Sequence, residues 1–265
     1  MRTYVHVFSL GMQTSLEYRS DLYLSLFSAV FPTILQLYIW KAVYTSPDMV
    51  YQGYTYPQIV LYSLMSALVS KLTMCGFEYR IGEDIKSGGL NKFIVRPVNY
   101  VLYCFFEFEG AKLLPLLLFS GISAVLIGIA SRLFTFMLSG SGIALCALAV
   151  TGALLLNFLI YFCIAALAFW MTEIVRLFST FSIISVVLSG GVLPLDIFGE
   201  RIARIAAFLP FSYTVQFPLT ILNGRFSAAQ IRQGFYMQLI WIALFACAAV
   251  RLWKAGLKRY TAIGG

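Results

Sequence analysis

Between residues 139 and 170 the chain runs for 32 residues without a charged side chain. A bilayer core about 30 Å thick needs only about 20 residues of helix, and every backbone amide inside it must be satisfied within its own segment. The run has no breaker that would divide it, so it reads as one long or tilted helix with its span over 142–170. The same ruler finds further apolar runs at 22–40, 57–78, 113–131, 178–195 and 234–250. At 60% hydrophobic and 16% aromatic residues the chain departs from soluble domains, which are about 45–50% apolar. The expected fold class is an all-α integral membrane protein, one domain over 1–265 with six transmembrane helices.

The polar intervals carry the organisation. Residues 1–21 hold Arg2, Glu17, Arg19 and Asp21, too much charge for a cleavable signal. With Val5, Val7, Phe8, Leu10, Met12 and Leu16 on one side they read as an N-terminal interfacial helix. Residues 79–99, YRIGEDIKSGGLNKFIVRPVN, form a charged island in a protein that is 11% charged overall. Within it, 81–86 predicts a short amphipathic helix ended by Gly88 and Gly89, with Arg96-Pro97 stopping the pattern. Residues 100–112 predict an aromatic-rich interfacial lead-in to the third span, and 172–177 a short turn before the fifth. Over 196–233 the chain is neither a span nor an ordinary loop. The uncharged stretch 206–222, interrupted by Pro210 and Pro218, predicts a re-entrant segment between the last two spans. Gly190, Gly191 and Pro194 bend or break the fifth span near its end.

Six spans put both termini on one side, and the Lys/Arg distribution orients them. Arg2, Arg19, Arg80, Lys86, Lys92, Arg96, Lys112, Arg176, Arg251, Lys254, Lys258 and Arg259 fall on the terminal side. Lys41, Arg132, Arg201, Arg204, Arg225 and Arg232 fall on the other. Twelve against six places the termini and the island in the cytoplasm. The formal charge of +8 therefore reflects membrane orientation, and the basic residues do not cluster with aromatics as a nucleic-acid surface requires.

Chemistry is sparse. The five cysteines, Cys75, Cys104, Cys146, Cys163 and Cys247, are odd in number, form no CxxC and lie in or beside apolar runs, which argues against a disulfide framework or zinc site. His6 is the single histidine, so neither a His-based metal site nor a triad can be assembled. Adjacent Glu83 and Asp84 diverge on a helix, as do Glu107 and Glu109. No G-x-x-x-x-G-K-[ST] occurs, so no P-loop is built here. Lys71, inside the second span, snorkels toward the headgroups; with Asn157, the strongly polar side chain of the fourth span, it is a candidate lining group of a transport path.

The order of these features resembles the membrane subunits of ABC-2 type exporters, in the branch of about 260 residues. The interfacial N-terminus precedes span one. The island reads IGEDIKSGGLNKFIVRPVN, the fifth span ends in SGGVLPLDIF, and the re-entrant region reads FLPFSYTVQFPLTILNG. The tetrapeptide Leu188-Ser189-Gly190-Gly191 spells a motif of ABC nucleotide-binding domains, but in an apolar run without a Walker motif it is coincidence. The resemblance implies two permeases, alike or different, and two cytoplasmic ATPases that carry ATP and Mg, with no cofactor on this chain. It implies a coupling helix at Ile81, Glu83, Asp84, Ile85, Lys86, Gly88, Gly89 and Leu90 that enters a cleft of the ATPase. It also implies a gate around Gly190, Gly191, Pro194, Pro210 and Pro218, and a substrate route between spans two and five of the paired permeases. An apolar or amphipathic cargo and a bacterial inner membrane complete that expectation. An ion-coupled secondary carrier and a non-transporting scaffold are the competing readings; the first needs acidic groups at mid-membrane and related broken-helix halves, which the sequence lacks.

Overall fold

A computed structural model of the chain describes residues 2–17, 19–46, 49–94, 98–134, 139–171 and 173–260. Helices α1 (Arg2–Glu17) and α2 (Arg19–Val43) lead to a two-residue antiparallel hairpin, β1 (Val50–Tyr51) and β2 (Tyr54–Thr55). Next come α3 (Tyr56–Thr73), α4 (Phe77–Ser87), α5 (Asn91–Ile94), α6 (Tyr100–Leu133) and α7 (Gly140–Ala166). The chain continues through α8 (Ile174–Leu188), α9 (Glu200–Phe208), α10 (Gln216–Leu222) and α11 (Ala228–Arg259). Single 3-10 turns occur at Leu167–Phe169, Leu195–Phe198 and Phe211–Tyr213. Among the described residues five helices, α2, α3, α6, α7 and α11, begin segments long and apolar enough to cross a bilayer. The apolar α8 has 15 residues, about 22 Å at 1.5 Å per residue. The protein is thus an all-α membrane protein apart from the hairpin.

Several boundaries differ from the expected ones, each for a visible reason. The lead-in over 100–112 and the span over 113–131 are one continuous helix, α6. Asn99 caps its start by accepting from the Leu102 N–H at 3.2 Å. The charges that seemed to end the apolar run are paired instead, Glu107 with Arg80 and Glu109 with Lys112. The second span, expected over 57–78, stops at Thr73, and a separate helix starts at Phe77, four residues before the expected amphipathic turn. Residues 174–177 are helix, where a turn was expected; Thr172, and Arg96-Pro97 as a stop, lie outside the described residues. The last span begins six residues before 234, because Ser227 and Gln230 form a capping box at 227–230.

Helix α7 is the spine. Ala149, Ala153, Leu156 and Ile160 are buried between α11, α10 and α4. Small residues bring backbones together: a Cβ on Gly152 would strike the Gln238 side chain, one on Gly234 the Phe217 ring, and one on Gly256 the Phe169 ring. Gln238, buried within the apolar helix pair, donates to the carbonyls of Ala149 at 3.0 Å and Tyr213 at 3.1 Å. The sites facing outward on α2, α6 and α11 are apolar, among them Phe27, Val125, Ile129, Leu239 and Leu244. Helix α1 lies tight on α6. A Cβ on Gly11 would overlap the Glu107 carbonyl and one on Gly110 the Phe8 carbonyl, so two backbones touch through paired glycines.

That contact predicts a position-specific sensitivity. Gly110→Ala should destabilise the chain by about 1–3 kcal/mol through overpacking, read as a lower melting temperature in detergent. Gly121→Ala and Gly128→Ala, on the same helix where an added Cβ meets nothing within 4 Å, should not lower it.

Candidate functional site

Helix α3 ends inside the protein, and a helix end leaves carbonyls without intrahelical partners. The amide of Met74 closes the final turn on the Ser70 carbonyl at 2.9 Å. The carbonyls beyond it are taken by other helices. Lys112 of α6, buried with 9% exposure, donates from Nζ to the Leu72 carbonyl at 2.8 Å and the Met74 carbonyl at 3.1 Å. Its third contact is the Glu109 carboxylate at 2.8 Å. Asn157 of α7 donates from Nδ2 to the Thr73 carbonyl at 2.6 Å. Three successive carbonyls are thus held by one cation and one amide, and a positive charge suits the negative end of a helix dipole. At Gly76 a Cβ would stand 2.6 Å from the Phe108 ring, so a side chain at the elbow between α3 and α4 would have to push that ring aside.

Helix α4 leaves the elbow with two distinct sides. Phe77, Glu78, Ile81, Gly82 and Ile85 are buried. Phe77 packs on the Phe158 ring of α7 at 5.0 Å, and Gly82 lies against Ile174 and Phe178 of α8. The exposed side carries Tyr79, Arg80, Glu83 and Ser87. Arg80 pairs with Glu107 of α6 and lies 3.9 Å from Asp84, with its guanidinium 5.7 Å from the Tyr103 ring centre. Asp84 also accepts from the Tyr100 hydroxyl at 2.5 Å. Gly88, at φ +80, ends the helix, and Gly89 is required because a Cβ there would strike the Asp84 carboxylate. Leu90, 2% exposed, then folds back into the core.

The eight residues expected on one docking helix therefore divide by location. Ile81, Ile85 and Leu90 are anchors in the core, Asp84 is tied to α6, and Gly88 and Gly89 shape the turn. Glu83 is exposed and Lys86 is half-buried. Sequence reasoning passed over Tyr79, Arg80, Tyr100, Glu107 and Lys112. The legible trace of Lys112 was a cation three residues after Glu109 at the edge of an apolar run. Lys71, for its part, donates to the Ser25 hydroxyl of α2 at 2.8 Å. Both groups proposed to line a path, Lys71 and Asn157, thus make helix-to-helix hydrogen bonds.

At the opposite end of α3 the hairpin meets the segments after α8. Gly190, at φ +77, turns the chain after Ser189, and its carbonyl accepts from the buried Tyr62 hydroxyl at 2.7 Å. Gly191 follows in the same turn, and Pro194 leads into the 3-10 turn Leu195–Phe198. Asp196 accepts from Gln216 Nε2 at 2.7 Å and from the Tyr54 hydroxyl at 3.2 Å, with the Arg225 guanidinium 3.7 Å away. That guanidinium also covers the Tyr54 ring at 3.5 Å. Burial, reinforced by the Asp196 charge, pushes the Tyr54 phenol well above its ordinary range, so it stays a donor. Pro210 opens the 3-10 turn Phe211–Tyr213, and Pro218 sits in the first turn of α10, where its missing N–H leaves no gap. Of the stretch expected to re-enter, 206–222, the first three residues end α9 with Ala207 and Phe208 exposed, and the rest is a largely buried succession of 3-10 turn and the seven-residue α10.

These features define a polytopic helical membrane protein whose second spanning helix turns, through a clamped elbow, into a short amphipathic helix. The chain belongs to the family described as ABC-2 family transporter protein, whose model matches residues 30–264. It is therefore a permease-type membrane component of an ABC transporter, of the kind that works with ATPase subunits. No curated protein matches the chain significantly.

The clamp predicts a specific loss. Lys112→Met keeps the bulk but removes the donors to the Leu72 and Met74 carbonyls, and should lower stability by about 1–3 kcal/mol. The check is thermal unfolding in detergent; Lys92→Met, at an exposed lysine, should be silent.

Proposed function

We propose that this chain is the permease subunit of an ATP-driven exporter, and that α4 is the coupling helix through which a separate cytoplasmic ATPase moves it. The observation that carries the reading is the two-sided environment of α4. One side is fixed to α6, α7 and α8, and the other presents Glu83 and Ser87, one helical turn apart and exposed, with no hydrogen bond or ion pair among the described residues. Tyr79, also on that side, is tied back to α8 by the Phe178 ring at 5.2 Å and the Ser179 hydroxyl at 3.4 Å. A helix anchored on three spans transmits displacement; a loose loop absorbs it. ATP and Mg belong to the partner ATPase. In this reading α8 is the short fifth of six spans, and the Lys/Arg distribution puts both termini and α4 in the cytoplasm. The hairpin, α9 and α10 then face the exterior, with α10 as the re-entrant element and the Gly190 turn as part of the outer gate.

The translocation path runs between paired permeases, identical or different, along α3 and α8. Exposed Val175, Ile183, Ile184 and Val187 give α8 an apolar face without a partner in this chain, which suits a second permease and an apolar or amphipathic cargo. The membrane is the bacterial inner membrane. Export by an ion gradient is less well supported, because Lys71 and Asn157 hydrogen-bond other helices and, among the described residues, no carboxylate lies midway along a span.

The test separates the two sides of α4. In the reconstituted complex Glu83→Arg together with Ser87→Arg should abolish cargo-stimulated ATP hydrolysis while the permease keeps its melting temperature. Ile81→Ala should instead destabilise the permease by about 2–5 kcal/mol, the range for truncating a buried aliphatic side chain. Stimulation that survives the outward pair, with the complex assembled, sinks the coupling role.

A further inference from the structure

An open cleft of about 470 Å3 lies at the hairpin end of the molecule, between α9 and the first turns of α11. Along α11 its lining changes from Gln230 and Gln233 to Met237. Over the same turns the outward side of α11 becomes apolar, with Tyr236, Leu239 and Ile240 exposed. The cleft therefore straddles the level at which headgroups give way to hydrocarbon.

Helix α9 closes its other side and is amphipathic. Ile202 and Ile205 are exposed, while Glu200, Ala203, Arg204 and Ala207 line the cleft. A short helix with an exposed apolar face at this level lies in the membrane interface. Of its three charges, Arg201 lies off the cleft lining, and the two that line it, Glu200 and Arg204, are not spent on each other. Among the described residues no ion pair joins Glu200 to Arg204, and the Arg204 Nε reaches only the Glu200 main-chain oxygen, at 3.4 Å. Asp196, also on the lining, is already held by Arg225, Gln216 and Tyr54. One carboxylate and one guanidinium, a helical turn apart, are left above an apolar floor that includes Phe226 and Met237.

We propose that this cleft is a binding site for a zwitterionic phospholipid of the surrounding leaflet. Glu200 takes the ammonium, Arg204 takes the phosphate, which a guanidinium recognises through paired donors, and the upper acyl carbons lie along Phe226 and Met237. An anionic headgroup would gain Arg204 but face the Glu200 carboxylate without a cation to offset it. The site stands apart from α4 and does not rest on the coupling role.

Native mass spectrometry of the full chain in mild detergent tests it, with phosphatidylethanolamine and phosphatidylglycerol of identical acyl chains added separately. One phosphatidylethanolamine should be retained several-fold more strongly than phosphatidylglycerol. Glu200→Gln and Arg204→Gln should each weaken that retention roughly tenfold, the loss of one charge-assisted contact. Ala203→Trp, which fills the cleft, should remove it. Both Gln variants sit at exposed positions and keep a polar side chain, so they decide the matter even if the Trp variant misfolds. Equal retention of the two lipids, preference for phosphatidylglycerol, or parental retention in both Gln variants overturns the proposal.

Discussion

A helix that stops inside a membrane protein has carbonyls that neither water nor its own next turn can satisfy, and each one left bare in such surroundings costs several kcal/mol. Helix α3 stops in this way at Thr73. The elbow that follows exists because Lys112 and Asn157 supply donors to the carbonyls of Leu72, Thr73 and Met74. Remove those donors and the cheapest way to satisfy the carbonyls is to continue the helix, which would carry residues 77–87 along the axis of α3 and lose the separate α4. The direction of α4, the burial of Ile81 and Ile85 in the core, and the exposure of Glu83 all follow from that stop. Because the donors come from α6 and α7, the elbow also ties three spanning helices together at one level.

The opposite end of α3 uses different means for the same purpose. There the chain must turn sharply after α8, and Gly190 adopts a left-handed conformation that a side chain would resist. The turn is then fixed from α3 by the Tyr62 hydroxyl on its carbonyl, and from α10 by the Gln216 amide on the Ser189 carbonyl at 3.0 Å. Asp196 gathers the hairpin, α10 and Arg225 around one carboxylate. Helix α3 is therefore held at both ends by polar contacts and along its length by apolar ones. A rod held in this way conveys a displacement at one end to the other.

Much of this was legible from residue order. The apolar runs located the helices, the glycine pair at 88–89 located the end of α4, and the prolines at 210 and 218 located the break-up of the chain before α11. What was not legible was pairing. Glu107, Glu109 and Lys112 read as polar punctuation because an isolated charge ends a span, whereas a charge with a partner 27 or 40 residues earlier in the chain does not. The same limit governs the candidate site. Amphipathic spacing shows that α4 has two sides, but which side meets the core depends on Ile174 and Phe178, nearly a hundred residues away. The family match spans residues 30–264 and leaves the whole of α1 outside it, yet the contacts at Gly11 and Gly110 show α1 seated on α6.

That seat bears on how a force at α4 would spread. Arg80 of α4 pairs with Glu107 of α6, and the Glu107 carbonyl is the group against which Gly11 of α1 rests. One residue thus joins the amphipathic helix through its carboxylate and the N-terminal helix through its backbone. Both attachments lie in the first turns of α6, a few residues before the Lys112 clamp. A push on the exposed side of α4 therefore meets α1, α6 and the end of α3 as one block, and the first joint free to yield lies beyond that block. The sparse polar contacts of this apolar protein are concentrated where segments must be kept at fixed angles, and the long lipid-facing stretches between them are held by packing with single hydrogen bonds such as Gln238 to Ala149 and Lys71 to Ser25.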